Sequence, residues 1–480
     1  MNTKNLIGKI LVGLQGLITI VFMVMVLILD MLPLKYVLAI GFVLVLLWVI
    51  TAITQKFKKS RIAGMIYAVI IVLALLLGAI YMWKAHSVIN EVTSSVIYKV
   101  SDVSVVVLSD SPAEGLQDLD GKTFGILSKV DRVNTNLSLE KLKEHYTQPV
   151  TTKEYDGFID QAQALFDGKI DAMIMNEAYR PVLSECFSGF DINTKVIDAF
   201  TYTEEVVQED KTPSTDTIEP FTVFLSGNDA AGEVMLSDGR TDVNILATVN
   251  PSTRQIVLTT TPRDYYVELP FYSGCMDKLT HAGIYGIDCS IETLENLYDI
   301  DIDYYVRINF SGFQSIVEAL GGVNVYSEYT FSTGKYSFTQ GYNYVNGPAA
   351  LAFVRERYSF ESGDVQRGKN QMAMIAAIVD KISSPAILTN YMGMMDSLSS
   401  CFITNIPRET ISEMVKLMLN EGGSWNIVTN SVNGYGNMLP TYSGGSQELS
   451  VMEQDPAAVQ EAHDMIKACE NGEIVSAPAK

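Results

Sequence analysis

Histidine and cysteine are scarce in this sequence, with four and five residues among 480. No CxxC pair or Cys/His spacing occurs, which speaks against a zinc site. Neither HExxH nor GxSxG is present, so nothing supports metalloprotease or esterase chemistry. There is no internal repeat and no low-complexity tract. Basic residues are also short, 34 against 55 acidic. The first eighty-odd residues lack almost all polarity. Three apolar runs, residues 10–29, 34–53 and 62–83, each approach the ~20 residues that a helix needs to cross a bilayer.

A cleavable signal has one short apolar region and a small-residue cleavage site. Three runs without such a site read as anchors, and buried helices of a soluble domain would carry a polar stripe. "QKFKKSR" lies between runs two and three, Lys4 and Lys9 precede run one, and the loop "DMLPLK" holds a single Lys35. Cytoplasmic loops concentrate Lys and Arg, so the N-terminus and the Lys56–Arg61 loop are expected inside, and everything after about Lys84 outside. Through Lys84 there are eight basic residues and one acid, leaving 26 basic against 54 acidic residues beyond it. An exported part this acidic does not bind nucleic acid by neutralising phosphates, and it attracts divalent cations. All five cysteines lie in that part. Cys275 and Cys289 flank "CMDKLTHAGIYGIDC" and are expected to close it as a disulfide. The odd count leaves at least one thiol over.

The chain divides into a membrane anchor (1–95), an accessory α/β domain (96–205), a linker (206–219) and a larger α/β domain (220–475). In residues 100–199 short strands ("VSVVVL", "KTFGIL", "DAMIMN") alternate with helices ("SLEKLKEHY", "YDGFIDQAQALFDGKI"), a rhythm that suggests a largely parallel sheet. "EEVVQEDKTPSTDTIEP" reads as a linker.

In the larger domain, charge collects at the ends of apolar runs. "FTVFLSG" reads as a strand ending near Asp229. "DVNILATVN" begins at Asp242, "NPST" turns the chain, and "RQIVLTTT" runs back to Arg263. A hairpin of the last two strands places Asp242 and Arg263 at one sheet edge, and an antiparallel first strand adds Asp229. Arg240 precedes Asp242 by two residues, so an extended backbone points both to one side. Two carboxylates suit Mg²⁺, which keeps several waters and binds substrate phosphates. Arginine forks suit phosphate oxygens. A solvated turn with a surface ion pair would have the same composition.

A second group follows in "NGPAALAFVRERYSFESGDVQRGKNQMAMIAAIVDKI". Asn346 is placed to cap a helix, with Pro348 in its first turn and Arg355 and Arg357 at its end. Asp364, Arg367 and Gln371 open a longer helix with an apolar face that includes Ile375, Ile378 and Ile382. Arg367 and Gln371, four apart, share one face. A helix N-terminus favours anions.

"LSGND", "SDGRTDVNILATVNP", "TTTPRD", "DKLTHAGIYG", "YYVRINFSGFQSIVEALGGVNV", "GYNYVNGPAALAFVRER" and "DVQRGKNQ" occur in an order and spacing that resembles the LytR-CpsA-Psr family. The likeness runs from residue 221 to the C-terminus. The three-span anchor with an added domain is similar to its capsule-associated members. The resemblance implies an α-β-α sandwich with a mixed sheet, beside a smaller α/β accessory domain and a helical anchor. It implies a Gram-positive cell-wall phosphotransferase that moves a glycopolymer, capsule or teichoic acid, from a polyprenyl-pyrophosphate carrier to peptidoglycan. The acceptor would be the C6 hydroxyl of N-acetylmuramic acid and the lipid tail would lie in an apolar pocket beneath the sheet. Asp229 and Asp242 match Mg²⁺-binding acids. Arg240, Arg263, Arg355, Arg357 and Arg367 match head-group arginines, and Gln371 a head-group glutamine. Lys278 and Asp364 match positions whose roles stay open. Where the family often reads Arg-Gln-Gln, this chain has Asn370, Gln371 and Met372, one cation fewer.

Attack of a sugar hydroxyl on a pyrophosphate builds charge that a metal on Asp229 and Asp242, Mg²⁺ or Mn²⁺, and the arginines would stabilise. Either acid is a candidate base, while His281 reads as structural. A hydrolase using water as the acceptor, and a non-enzymatic lipid-pyrophosphate receptor regulating capsule expression, are the alternatives. A solute sensor would need a cytoplasmic output module, and the inward segments are too short for one.

Overall fold

The apolar runs have no polar stripe to bury, and in the computed structural model each winds into one unbroken helix: α1 (Thr3–Leu29), α2 (Leu34–Thr54) and α3 (Arg61–Val92). All three are long and apolar enough to cross a membrane. Leu17, Phe42 and Leu73 on their outer faces are at least 60% exposed, as lipid-facing side chains would be. The structure describes residues 3–93, 96–207, 218–228, 238–271, 274–383, 402–421, 424–445 and 447–476. Helix α3 continues past Trp83 because its last turns bury Ala85, Val88 and Val92 in an apolar cluster with Val317, Leu320 and Phe353.

Residues 96–207 follow the order β1 (Val96–Leu108), β2 (Thr123–Leu127), α4 (Arg132–His145), β3 (Thr151–Tyr155), α5 (Phe158–Phe166), β4 (Ala172–Asn176), α6 (Arg180–Cys186), α7 (Phe190–Asn193) and β5 (Thr194–Val207). The sheet order is β3-β2-β4-β1-β5. Strand β2 runs parallel to β3 and β4, but β1 is antiparallel to both β4 and β5. The sheet is therefore mixed rather than largely parallel. Its longest pairing, β1 with β5, joins the two ends of the domain, a relation that local periodicity does not carry. Strand β5 also reaches Val207, so Glu204–Val207 are strand, not linker.

The larger domain centres on six strands: β6 (Phe221–Asn228), β7 (Thr241–Asn250), β8 (Gln255–Thr260), β11 (Tyr304–Asn309), β16 (Phe402–Thr404) and β17 (Asn426–Ser431). Between them in sequence lie β9 (Tyr266–Glu268) paired with β10 (Met276–Lys278), β12 (Val323–Ser327) paired with β15 (Gly341–Val345), and β13 (Phe331–Thr333) paired with β14 (Tyr336–Phe338). Strands β18 (Gly434–Pro440) and β19 (Glu448–Gln454) follow. The central order is β16-β11-β6-β7-β8-β17, with β6/β7 and β7/β8 antiparallel and β6/β11 and β8/β17 parallel.

Alternation along the strands divides the core in two. Phe224 and Leu246 face α9 (Ile287–Tyr298) and α14 (Pro456–Glu470) through Leu294, Ala462 and Ile466. Their neighbours Val223, Ile245 and Ala247 face α12 (Asp364–Ile382) and α13 (Arg408–Glu421) through Met372, Ile375 and Met414. This is the expected α-β-α sandwich. Helices α8 (Leu279–Ala282), α10 (Phe310–Ala319) and α11 (Gly347–Arg355) complete it. The Asn346 side chain caps α11 by accepting from Ala349 N, and Ile375 and Ile378 pack inward, but Ile382 is exposed.

Contacts of Arg408 and Lys416 with the end of α1 help to fix this domain in space. Arg408 donates to the carbonyls of Ile28 (2.8 Å) and Leu29 (3.3 Å) at the C-terminus of α1, where a cation is favoured. Lys416 pairs with Asp30 at 2.9 Å. The accessory domain shares a core with it, Phe158, Ile159 and Tyr179 packing with Ile284 and Leu449.

The expected Cys275–Cys289 disulfide is not formed. Both are free thiols packed with Leu269 and Ala282. Burial pushes the Cys289 thiol up to about 12, so it holds little of the thiolate that oxidation needs. Cys186 and Cys469 are buried thiols as well, and Cys401 lies outside the described residues. Dithiothreitol is accordingly expected to leave the melting temperature within about 1 °C of the untreated protein, because a 2–4 kcal/mol cross-link would shift it by several degrees.

Candidate functional site

The hairpin builds the site. The β7/β8 register pairs Ile245 with Thr260, and Thr261 N donates to Asn244 O at 2.9 Å. Continued by two residues, it sets Asp242 opposite Arg263. Pro262 has no N–H and ends the ladder, freeing Arg263 to turn. Its Nη1 donates to Asp242 Oδ1 at 2.6 Å and its backbone N to Asp364 Oδ2 at 3.1 Å. Asp364 opens α12 and pairs with Arg367 one turn on. The close approach depends on Gly368, where a Cβ would stand 2.8 Å from Thr260 Oγ1.

The cluster extends as a chain of alternating charges. Arg263 Nε lies 3.5 Å from Asp264 Oδ1, which lies 3.5 Å from Lys278 Nζ. Lys278 reaches Glu185 Oε1 at 3.4 Å, and Glu185 Oε2 meets Arg240 Nη1 at 3.3 Å. Glu185 belongs to α6 of the accessory domain. Burial disfavours the Arg263 charge, but Asp242, Asp264 and Asp364 outweigh it and hold the guanidinium above its ordinary pKa. Burial raises the Asp364 carboxyl, against the pull of Arg367. Asp242, Arg263, Asp364, Arg367 and Gln371 line a cavity of about 10 Å³, room for a single water. Gln371 also donates to Val354 O at 3.3 Å, tying α12 to α11.

The expected residues thus divide. Asp242, Arg263, Lys278, Asp364, Arg367 and Gln371 meet, and Arg240 joins through Glu185. Arg240 and Asp242 do not act as a same-side pair, because residues 238–240 precede the strand and Arg240 turns to the accessory domain. Arg355 lies over the Phe310 ring at 4.5 Å, and Arg357 donates to Tyr358 Oη at 2.7 Å. Neither has an ion pair to the cluster among the described residues. Asp229 lies outside the described residues. His281 is structural: its Nδ1 meets Asp277 Oδ1 at 2.7 Å and both side chains are buried. Two further members join the cluster. Asp264, legible in "TTTPRD" as a charge at a run end, adjoins Arg263; Glu185, 78 residues before Arg263 and in another domain, had no local signal.

No set of three His, Cys, Asp or Glu side chains converges on a metal position among the described residues. At the same sheet end, however, the Asn228 amide and the Thr241 hydroxyl are buried without a partner among the described residues. The Asp242 carboxylate at this sheet edge is a hard oxygen ligand of the kind that Mg²⁺ takes together with retained water.

A sequence model of the LytR_cpsA_psr family matches residues 191–462. A second, for a DNA polymerase processivity factor, matches residues 58–175; that range joins α3 to part of the accessory domain, stops within β4 before β5, and corresponds to no folded unit. The chain is 36% identical over 203 residues to the polyisoprenyl-teichoic acid–peptidoglycan teichoic acid transferase TagU of Enterococcus faecalis, covering 42% of this chain and 66% of that protein. It is 33% identical over 199 residues to the Bacillus cereus protein of the same name, covering 41% and 64%. The matches span just under two thirds of these relatives. Among solved structures, B. subtilis TagV superposes with a TM-score of 0.45 at 23% identity over 54% of this chain and 99% of that one. A structure described as TagT bound to LI-WTA gives 0.42 at 26% over 53% and 91%.

Proposed function

The chain belongs to the LytR-CpsA-Psr family, and we propose that it is a membrane-anchored phosphotransferase acting outside the cell. It takes a glycopolymer from a polyprenyl-pyrophosphate carrier and joins it to peptidoglycan through a phosphodiester. The observation that carries this reading is the Arg263 hub, where Arg367 and Lys278 converge at the sheet edge with acids between them. Teichoic acid is the cargo named for the curated relatives, and capsule polysaccharide is the cargo suggested by the three-span anchor.

The acceptor hydroxyl attacks the phosphorus that carries the glycan. A new P–O bond forms, the bridging P–O bond breaks, and polyprenyl phosphate leaves. The guanidiniums of Arg263 and Arg367 and the Lys278 ammonium bind the head group and oppose the growing charge. One of the two acids, Asp242 or Asp229, takes the hydroxyl proton. Asp242 with Asp229 would hold Mg²⁺ or Mn²⁺, which would supply charge neutralisation at the phosphates. The globular part sits at the Leu29 and Val92 ends of the helices, away from the basic loop, which supports an outside location.

Donor and peptidoglycan fragments incubated with the full chain in H₂¹⁸O test this reading. Transfer yields a conjugate whose phosphate carries no label. Labelled sugar phosphate would instead identify a hydrolase, and donor bound but unchanged a receptor.

A further inference from the structure

The cluster is balanced. Arg240, Arg263, Lys278 and Arg367 face Glu185, Asp242, Asp264 and Asp364, four charges against four among the described residues. A pyrophosphate entering among these described residues meets a carboxylate on each cation, and it must compete with those carboxylates for the cations. Three of the four acids are fixed by the sheet edge and α12. The Glu185 side chain is 39% exposed, against 29% for Asp264, 16% for Asp242 and 15% for Asp364. It alone comes from another domain. Its two oxygens address two different cations, at 3.3 Å and 3.4 Å, as two oxygens of a phosphate would.

We propose that Glu185 is a specificity-determining residue lent to the site by the accessory domain, an internal anion seated between Arg240 and Lys278 where a phosphate of the donor belongs. This rests on the head-group reading above and assigns the accessory domain a role in it. Any anion must displace the carboxylate, which weakens small free anions such as phosphate and pyrophosphate. A donor that also binds through lipid and glycan has the extra affinity to displace it. The site thereby selects the complete lipid-linked donor over its fragments.

The test is calorimetric titration of inorganic pyrophosphate into the full chain in detergent, for wild type, Glu185→Gln and Lys99→Met. The last variant breaks another contact between the domains, Lys99 with Asp238 at 2.9 Å, without touching Arg240 or Lys278. Glu185→Gln is expected to bind pyrophosphate about 5- to 10-fold more tightly, the effect of removing one close like charge, with Lys99→Met near wild type. Unchanged or weaker binding by Glu185→Gln would overturn the proposal while leaving the head-group site standing. Equal tightening by both variants would also overturn it, by assigning the effect to domain docking. Absence of binding by wild type and Glu185→Gln alike would remove the head-group reading and the proposal with it.

Discussion

Arg263→Ala is expected to lower glycopolymer transfer by roughly 10²–10³-fold, the usual loss when one preorganised donor to a developing oxyanion is removed. Arg263 touches Asp242, Asp264 and, through its backbone, Asp364. Its loss removes the central cation and leaves Asp242 without its ion pair, while Arg367 and Lys278 still hold Asp364 and Asp264. Arg263→Lys keeps the charge but not the planar fork that addresses two groups at once, and it is expected to recover part of the loss. Kinetics of both variants, with melting temperatures alongside, separate chemistry from folding. A folded Arg263→Ala chain with near-wild-type turnover would place the chemistry elsewhere.

Asp277→Ala is expected to destabilise the larger domain by about 3–5 kcal/mol, the range for removing one partner of a buried pair. Asp277 is fully buried and accepts from Lys278 N at 2.7 Å, Ser443 N at 2.8 Å and the ring of His281 at 2.7 Å. Alanine would strand two buried N–H groups and an imidazole without an acceptor. Asp277→Asn keeps one acceptor oxygen in place and is expected to cost far less. Because Lys278 follows directly, Asp277→Ala should also loosen the Lys278 ammonium and weaken pyrophosphate binding. Denaturant titration of both variants checks this, and a loss below about 1 kcal/mol in Asp277→Ala would contradict it.

The parts legible in the sequence were those fixed by local pattern. The hairpin of β7 and β8 followed from two apolar runs and an Asn-Pro turn, and with it the meeting of Asp242 and Arg263. The capped helix after Asn346 and the opening of α12 at Asp364 were likewise local. Relations set by pairing across the chain were not. The antiparallel return of β5 beside β1 depends on contacts about 100 residues apart. The place of Glu185 depends on how two domains dock over the core shared by Phe158, Tyr179 and Ile284. The cysteine spacing suggested a bridge, but in the fold that segment buries Cys289 in an apolar cluster where a reduced thiol is stable. Arg355 and Arg357 matched the family pattern, while their positions here are governed by the neighbouring rings of Phe310 and Tyr358.

The proposed reaction at this sheet edge moves a pyrophosphate-linked glycan to a sugar hydroxyl. The most direct measurement is mass spectrometry of products from the full chain with a polyprenyl-pyrophosphate oligosaccharide and peptidoglycan fragments, with Mg²⁺ or with EDTA. The predicted result is a conjugate with the mass of a phosphodiester, formed with Mg²⁺, lost with EDTA and reduced at least a hundredfold in Arg263→Ala. Intact donor, or free sugar phosphate with the peptidoglycan fragments unmodified, would contradict it.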